Sequence, residues 1–314
     1  MDKKLIHKFS SLFGFLLLGF SLFAIAHELR QYSYQDILNS FRSIPKIQLL
    51  SAIGLTGLGY LALSGYDLLA LNYVNHRLSL PKIIFANFIS NAFSNSIGLA
   101  FLTSSAIHYR FYSVWGVPTI AIAVVIAFVN LSFCLGLFAL GGVMFLVAPL
   151  PIPPLLNLPW LSVRPLGFIF LILTVAYLLS SILIRKPLKF RDREFRFPSF
   201  RLAFFLILVS CVEWALAASV IYSLLPPTAA LSYPTFLSIY LLGMGAGVIS
   251  NVPGGLGVFE TIVLFFLSPY IPGPAVFGSL LAYRCVYYFL PLFLATGLLG
   301  IYELKGRSRY KSKN

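Results

Sequence analysis

Four ionisable side chains stand where water is scarce. Asp67, Glu213, Glu260 and Arg284 each lie inside a long apolar run. A charge held at the centre of a bilayer costs about 2.5–3.5 kcal/mol on insertion scales. Such groups face a wet cavity or pair with one another. Two readings follow: a polar track for a charged headgroup or coupling ion, or a structural ion pair that locks the bundle. Arg284 and Glu213 make the first pair to test. Arg110 stands at the edge of another apolar run, where an arginine serves such a site or snorkels to the interface.

The run 252–260, VPGGLGVFE, is the sharpest local signal. Pro253 lacks an N–H and ends an incoming half-helix. Gly254, Gly255 and Gly257 permit left-handed turns and close backbone approach. The outgoing half-helix starts near Val258, and its free N–H groups and positive dipole end suit an anion such as a phosphodiester. Glu260 in that first turn suits the same dipole and caps it. The plainer reading of the glycines is a tight packing turn. Gly255 is expected to resist a larger side chain, and Gly65 to accept a methyl. Asn251 precedes the loop, and Asn95 holds a similar place in the first half of the chain. The four histidines, at 7, 27, 76 and 108, are scattered; two lie at span ends, where a solvated histidine is the default reading. The sequence offers no Walker loop, metal-ligand cluster or nucleophile–base set, so no cofactor is expected.

These residues need a membrane around them. Hydrophobic residues make up 59% of the 314-residue chain, charged residues 10%, and the mean hydropathy is +0.90. That excludes a soluble enzyme, a disordered chain and a disulfide-rich secreted domain. The formal charge of +14 comes from Lys and Arg gathered in short segments between apolar runs, a membrane-topology pattern rather than a nucleic-acid footprint. The aromatic residues suit lipid-facing and interfacial positions. Cys134, Cys211 and Cys285 sit in apolar runs as packing residues.

Six full spans are predicted near 9–27, 47–74, 118–148, 164–184, 202–224 and 276–302. The first follows a basic stretch and ends in an Ala-Ile-Ala triplet at 24–26, and is read as a retained span rather than a cleaved leader. Within 32–44, Tyr34, Ile37, Leu38 and Phe41 share one helical face, which predicts an amphipathic interfacial helix. The N-terminus, the 185–201 loop and the tail are basic and therefore cytoplasmic; 149–163 and 225–233 lack basic residues and are external. With those sides set, 83–107 must start and end inside, and 234–268 outside. Each is a re-entrant hairpin; half of the second, about 15 residues, is too short to cross ~30 Å.

The hairpins carry similar runs, Ser94-Asn95 to Phe101 and Ser250-Asn251 to Phe259, and enter from opposite faces. The reading is one all-α polytopic membrane domain built as an inverted repeat. Its first half is 9–148, its linking span 164–184, its second half 202–302, and its basic tail 303–314.

Four runs carry a resemblance: VPGGLGVFE at 252–260, YDLLALNY at 66–73, GLAFLTSSAIHYRFYSVWG at 98–116 and YRCVYYFLP at 283–291. Together they resemble the lysylphosphatidylglycerol synthetase transmembrane-region family, which includes the flippase half of the multiple peptide resistance factor. Where its members tend to have a glycine pair and a basic residue, this chain has Ser104-Ser105 and His108. The resemblance implies a bacterial inner-membrane protein that moves a phospholipid or lipid-linked anion between leaflets. Arg110 and Arg284 would neutralise the headgroup, Asp67, Glu213 and Glu260 would balance charge, and the 252–257 loop would cradle phosphate. With the chain ending at Asn314, the expectation is a stand-alone flippase-like unit rather than a synthase. Expected partners are membrane lipids, no nucleic acid, and a second copy or a separate synthase. Two rival classes are an intramembrane lipid- or glycan-modifying enzyme, with Asp67, Glu213 or Glu260 as base, and a non-transporting accessory subunit.

Overall fold

The computed structural model describes residues 34–97, 100–151, 162–184, 188–190, 193–195, 197–250, 252 and 255–311. The expected first span at 9–27, Asn251, Pro253 and Gly254 lie outside the described residues. Eleven helices carry the fold among those described. A short amphipathic helix α1 (Tyr34–Arg42) precedes α2 (Lys46–Tyr73), α3 (Leu80–Ile97), α4 (Ala100–Val114), α5 (Thr119–Val147) and α6 (Arg164–Leu183). A small antiparallel hairpin, β1 (Leu188–Phe190) and β2 (Arg193–Phe195), pairs Leu188 with Phe195. Then come α7 (Phe200–Leu224), α8 (Tyr233–Ser250), α9 (Val258–Leu267) and α10 (Gly273–Tyr283); a π-helical turn, Arg284–Phe289, joins α10 to α11 (Leu290–Lys311).

Proline places the helix starts. Pro45, Pro118 and Pro272 hold extended backbone immediately before α2, α5 and α10, and Pro165 sits in the first turn of α6. Ser199 starts α7 differently, its side chain accepting from the Leu202 N–H. After α2 the chain reverses through Asn75, at φ +54°, a left-handed position that asparagine tolerates.

Six helices are long and apolar enough to cross a membrane, and the chain is an all-α polytopic membrane protein. Five match expected spans. The sixth is α8, which at 18 residues has the length to cross by itself, longer than the half-hairpin expected there. Its return arm α9 has 10 residues, about 15 Å, and does not. The two arms lie antiparallel: a β-carbon on Gly247 would meet the Gly255 Cα at 3.4 Å, and one on Gly243 would meet Phe259 at 3.0 Å.

The chain ends reveal two opposed hairpins. Ser279 on α10 donates to the Leu224 carbonyl at 2.8 Å, and Tyr222 packs on Tyr233 and Phe236, so α8 begins and α10 begins beside the end of α7. Gly278 lets α1 approach to backbone contact at this same end. Hairpin α3–α4 opens at the other end, where Phe85 near its start and Phe111 near its finish both pack on Tyr302 of α11. Ser90 bonds to Ser104 midway along its two arms.

Helices α2 and α7 form the central seam, joined most extensively of any pair. On one side Tyr66, Phe111, Tyr112 and Ile122 build a buried core; on the other Trp214, Phe236, Tyr240, Phe259 and Tyr283 build a second. Small residues set the spacing. A β-carbon on Gly136 of α5 would stand 2.5 Å from Trp214 Cδ1 and 2.6 Å from Ser210 Cβ. Outside, α6 shows Phe168, Ile169, Ile172 and Val175 to its surroundings, as a lipid-facing span must. Cys285 is exposed too, so packing does not account for it.

Two outcomes test this arrangement. In a cysteine-free background, cysteines at positions 232 and 272 should label from one side of the membrane and cysteines at 79 and 116 from the other. Labelling of 232 and 272 from opposite sides would remove the second hairpin. Gly136→Val should cost about 1–3 kcal/mol by overpacking against Trp214, read as a lower unfolding temperature in detergent. Gly54→Ala, with nothing within 4 Å of its new carbon, should be silent.

Candidate functional site

The acids expected in the bundle are buried, and each takes different partners. Asp67, on α2, is fully buried. The Tyr112 hydroxyl donates to its Oδ1 at 2.9 Å, the Asn87 amide donates to its Oδ2, and His108 Nε2 lies 3.1 Å from Oδ1. Asn87 also donates to the Leu63 carbonyl at 3.2 Å. His108 Nδ1 stands 2.8 Å from the Ser104 carbonyl and 3.0 Å from Ser90 Oγ. One carboxyl on a long span thus ties down both arms of the α3–α4 hairpin.

Glu213 lies mid-helix in α7 and takes phenols instead of a cation. Tyr66 donates to its Oε2 at 3.3 Å, and Tyr287 is its second partner. Among the described residues no Lys, Arg or His forms an ion pair with it. Arg284 therefore does not pair with Glu213, the pair set out for test under the structural reading.

Arg284 pairs with Glu260. Its Nε donates to Glu260 Oε1 at 2.8 Å and its Nη2 bonds the same oxygen, with side-chain exposures of 12% and 9%. The guanidinium carbon also sits 4.5 Å above the Tyr288 ring. The other carboxylate oxygen of Glu260 accepts the Gly257 N–H at 2.8 Å, closing the first turn of α9. Gly255 and Gly257 stand at φ +62° and +82°, where a β-carbon is strained. The π-helical turn begins at Arg284 itself; such turns shift the register of the side chains beyond them.

Tyrosines join these groups. Tyr283 stacks on Tyr287 at 5.2 Å, Tyr240 and Tyr283 share a hydrogen bond at 3.2 Å, and Tyr60 donates to the Tyr287 carbonyl at 3.3 Å. Asn95, near the tip of the first hairpin, bonds Tyr60. The structure thus places Asp67, Glu213 and the Glu260–Arg284 pair in three separate polar clusters, with Asn95 reaching the Glu213 cluster through Tyr60 and Tyr287, and Gly257 bonded to Glu260. Arg110 stands apart, exposed at the end of α4 and paired with Glu303. Among the described residues no three of His, Cys, Asp and Glu gather as a metal site.

Sequence reasoning missed the partners. His108 is not a solvated span-end residue; it is 1% exposed. Ser104, His108 and Tyr112 recur every fourth residue along α4, and Asn87 faces them from α3. That polar stripe was the available signal. Seven tyrosines, at 60, 66, 112, 240, 283, 287 and 288, are buried in the bundle rather than at its lipid-facing or interfacial surface. Gly65 is not free either: a methyl there would meet Val209 at 2.9 Å.

A multi-pass bundle with two helical hairpins, each packed beside its own buried polar cluster, defines a class of integral membrane protein. The chain belongs to the family described as the lysylphosphatidylglycerol synthase TM region, whose model matches residues 10–295. It is 47% identical over 291 residues to Uncharacterized protein slr0712 of Synechocystis sp., across 93% of this chain and 90% of that one. It is 28% identical over 268 residues to Inner membrane protein YbhN of Escherichia coli, across 85% of this chain and 83% of that one. It is 26% identical over 288 residues to the Phosphatidylglycerol lysyltransferase of Staphylococcus aureus, covering 90% of this chain but 33% of the larger protein.

Gly255→Val and Gly257→Val should each cost about 1–3 kcal/mol, because each forces a β-branched residue into left-handed backbone. Unfolding of the purified protein reads this directly. Gly297→Ala, with open space around it, is the control. Equal stability of all three variants would reduce the loop to ordinary packing.

Proposed function

We propose that this protein translocates a phospholipid or lipid-linked anion between the leaflets of a bacterial inner membrane. One observation carries the reading: Glu260 places a carboxylate between a guanidinium and the first N–H groups of a broken helix. Those are the donors a phosphodiester needs. At rest Glu260 occupies the anion position, and an arriving headgroup phosphate exchanges with it, taking Arg284 and the Gly257 N–H in its place. The displaced carboxylate keeps the site from being left bare after the lipid leaves. Gly255 and Gly257 let the headgroup approach the backbone, and the buried tyrosines give a polar, uncharged lining through the middle of the bundle. Asn95 lines the track near the tip of the first hairpin, while the parts assigned to Asn251 and Gly254 rest on the sequence alone. Arg110, at the bundle edge, serves as a collecting charge for headgroups.

Support for lipid as the cargo comes from the family and from the relative named as a phosphatidylglycerol lysyltransferase. Phosphatidylglycerol and its lysyl ester are the first headgroups to test. The relative named as an inner membrane protein supports the membrane assigned here. The basic 185–201 loop and tail face the cytoplasm in this reading.

Proteoliposomes carrying labelled phosphatidylglycerol, lysyl-phosphatidylglycerol or phosphatidylcholine measure it. At least one anionic or lysyl-modified lipid should cross faster than in protein-free vesicles. Arg284→Gln should slow it about 10- to 100-fold, the loss of one charge-assisted contact worth about 1.5–3 kcal/mol. Protein-free rates for every lipid would contradict the proposal.

A further inference from the structure

The hydrogen-bond valences around Asp67 do not close without an extra proton. The Ser104 carbonyl can only accept, so His108 Nδ1, 2.8 Å away, carries a hydrogen. Ser90 Oγ has the same carbonyl at 3.2 Å and Ser104 Oγ at 3.0 Å as acceptors for its one hydrogen, and so meets Nδ1 with a lone pair. A neutral imidazole protonated at Nδ1 has a bare Nε2. That Nε2 lies 3.1 Å from Asp67 Oδ1 and 3.3 Å from Oδ2. An ionised carboxylate also offers only lone pairs. Two acceptors at this distance repel unless a proton lies between them. The remaining contacts cannot supply it. Tyr112 already donates to Oδ1, and the Asn87 amide, oriented by the Leu63 carbonyl, already donates to Oδ2.

The surroundings keep that proton in place. The two side chains are 1% and 0% exposed. Tyr112 on α4 is the one further titratable group bonded to the pair among the described residues. From α3 come Asn87 and Ser90, and from α2 the Leu63 carbonyl. Tyr66, next along α2, bonds Glu213 of α7 instead. Helix α5 contributes no Asp, Glu, Lys, Arg, His or Tyr. On α11, Tyr302 packs on Phe85 and Phe111, and Glu303 takes Arg110 at the exposed edge. With the proton the pair is neutral; without it a lone negative charge is left in an enclosed, low-dielectric site.

We infer that Asp67 and His108 form a buried proton-binding site that couples movement of the α3–α4 hairpin to the transmembrane proton gradient. The carboxyl belongs to a long span and the imidazole to a re-entrant hairpin. Parting them breaks the O···H···N contact, leaves the carboxylate on α2, and passes the proton to water on whichever side has opened. The return step takes one proton from the other side. The coupling half of this inference rests on the translocation reading above; the proton site does not.

Two measurements on the full chain separate the halves. Nitrogen NMR of histidine-labelled wild-type protein at neutral pH, assigned with His108→Gln, counts hydrogens on the ring. Infrared difference spectra against Asp67→Asn report whether that carboxyl is protonated. The expected result is one of two forms: both ring nitrogens protonated beside a carboxylate, or Nδ1 alone protonated beside a carboxylic acid. A ring with a single hydrogen beside an ionised Asp67 overturns the site. In proteoliposomes, an imposed pH gradient should change the wild-type translocation rate several-fold, and His108→Gln should lose that response. A wild-type rate indifferent to the gradient overturns the coupling and leaves translocation standing. Absence of any translocation overturns the translocation reading and the coupling with it, while the spectra still decide the proton site.

Discussion

Hydrocarbon offers no partner to a charge or to an open peptide group, so every such group in this bundle has to be answered by another part of the chain. That constraint places nearly everything of interest. The helix break before α9 leaves free N–H groups, and Glu260 accepts one of them at Gly257. The carboxylate so fixed then needs a cation, and Arg284 supplies it from the start of the π-helical turn. The guanidinium in turn lies over Tyr288. A single interruption in the helix thus dictates a glycine turn, an acid, a base and an aromatic ring, in that order.

The two halves meet the same constraint differently. The second hairpin binds its charge pair between its own outgoing arm and the following helix. The first hairpin answers a carboxyl that belongs to another element: Asp67 on α2 takes Asn87 from one arm and His108 and Tyr112 from the other. Opening the first hairpin away from α2 therefore breaks several polar contacts at once, whereas the second can move with its ion pair intact. Glu213 stands between them with phenols alone. The two hairpins thus carry unlike chemistry.

The spans could be read from the chain because a bilayer demands long apolar runs, and the expected 118–148 and 202–224 differ little from Thr119–Val147 and Phe200–Leu224. Both hairpins followed from loop charge, since a segment whose flanks lie on one side has to return. The acids stood out because a charge in an apolar run is conspicuous. Their partners did not. His108, Asn87 and Tyr112 are polar residues on amphipathic-looking arms, and nothing in local spacing says that a carboxyl 20 residues or more away will gather them. The trial pairing of Arg284 with Glu213 passed over Glu260 for a related reason. Glu260 looked sufficient as a helix cap, and that cap turned out to hold the arginine as well. The π-helical turn has no local signature in YRCVYYFLP, and Tyr287 and Tyr288 within it both pack on Tyr283.

The central claim is that Glu260 and Arg284 form an exchangeable anion site rather than a fixed clamp. A comparison of Glu260→Gln, Arg284→Gln and the double variant, each followed for detergent stability and for lipid translocation in the same liposomes, tests it most directly. Either single change strands a buried charge and should destabilise by about 3–5 kcal/mol. The double variant should recover most of that stability and still fail to move lipid. Recovery of both stability and translocation in the double variant would contradict the account and leave a structural salt bridge.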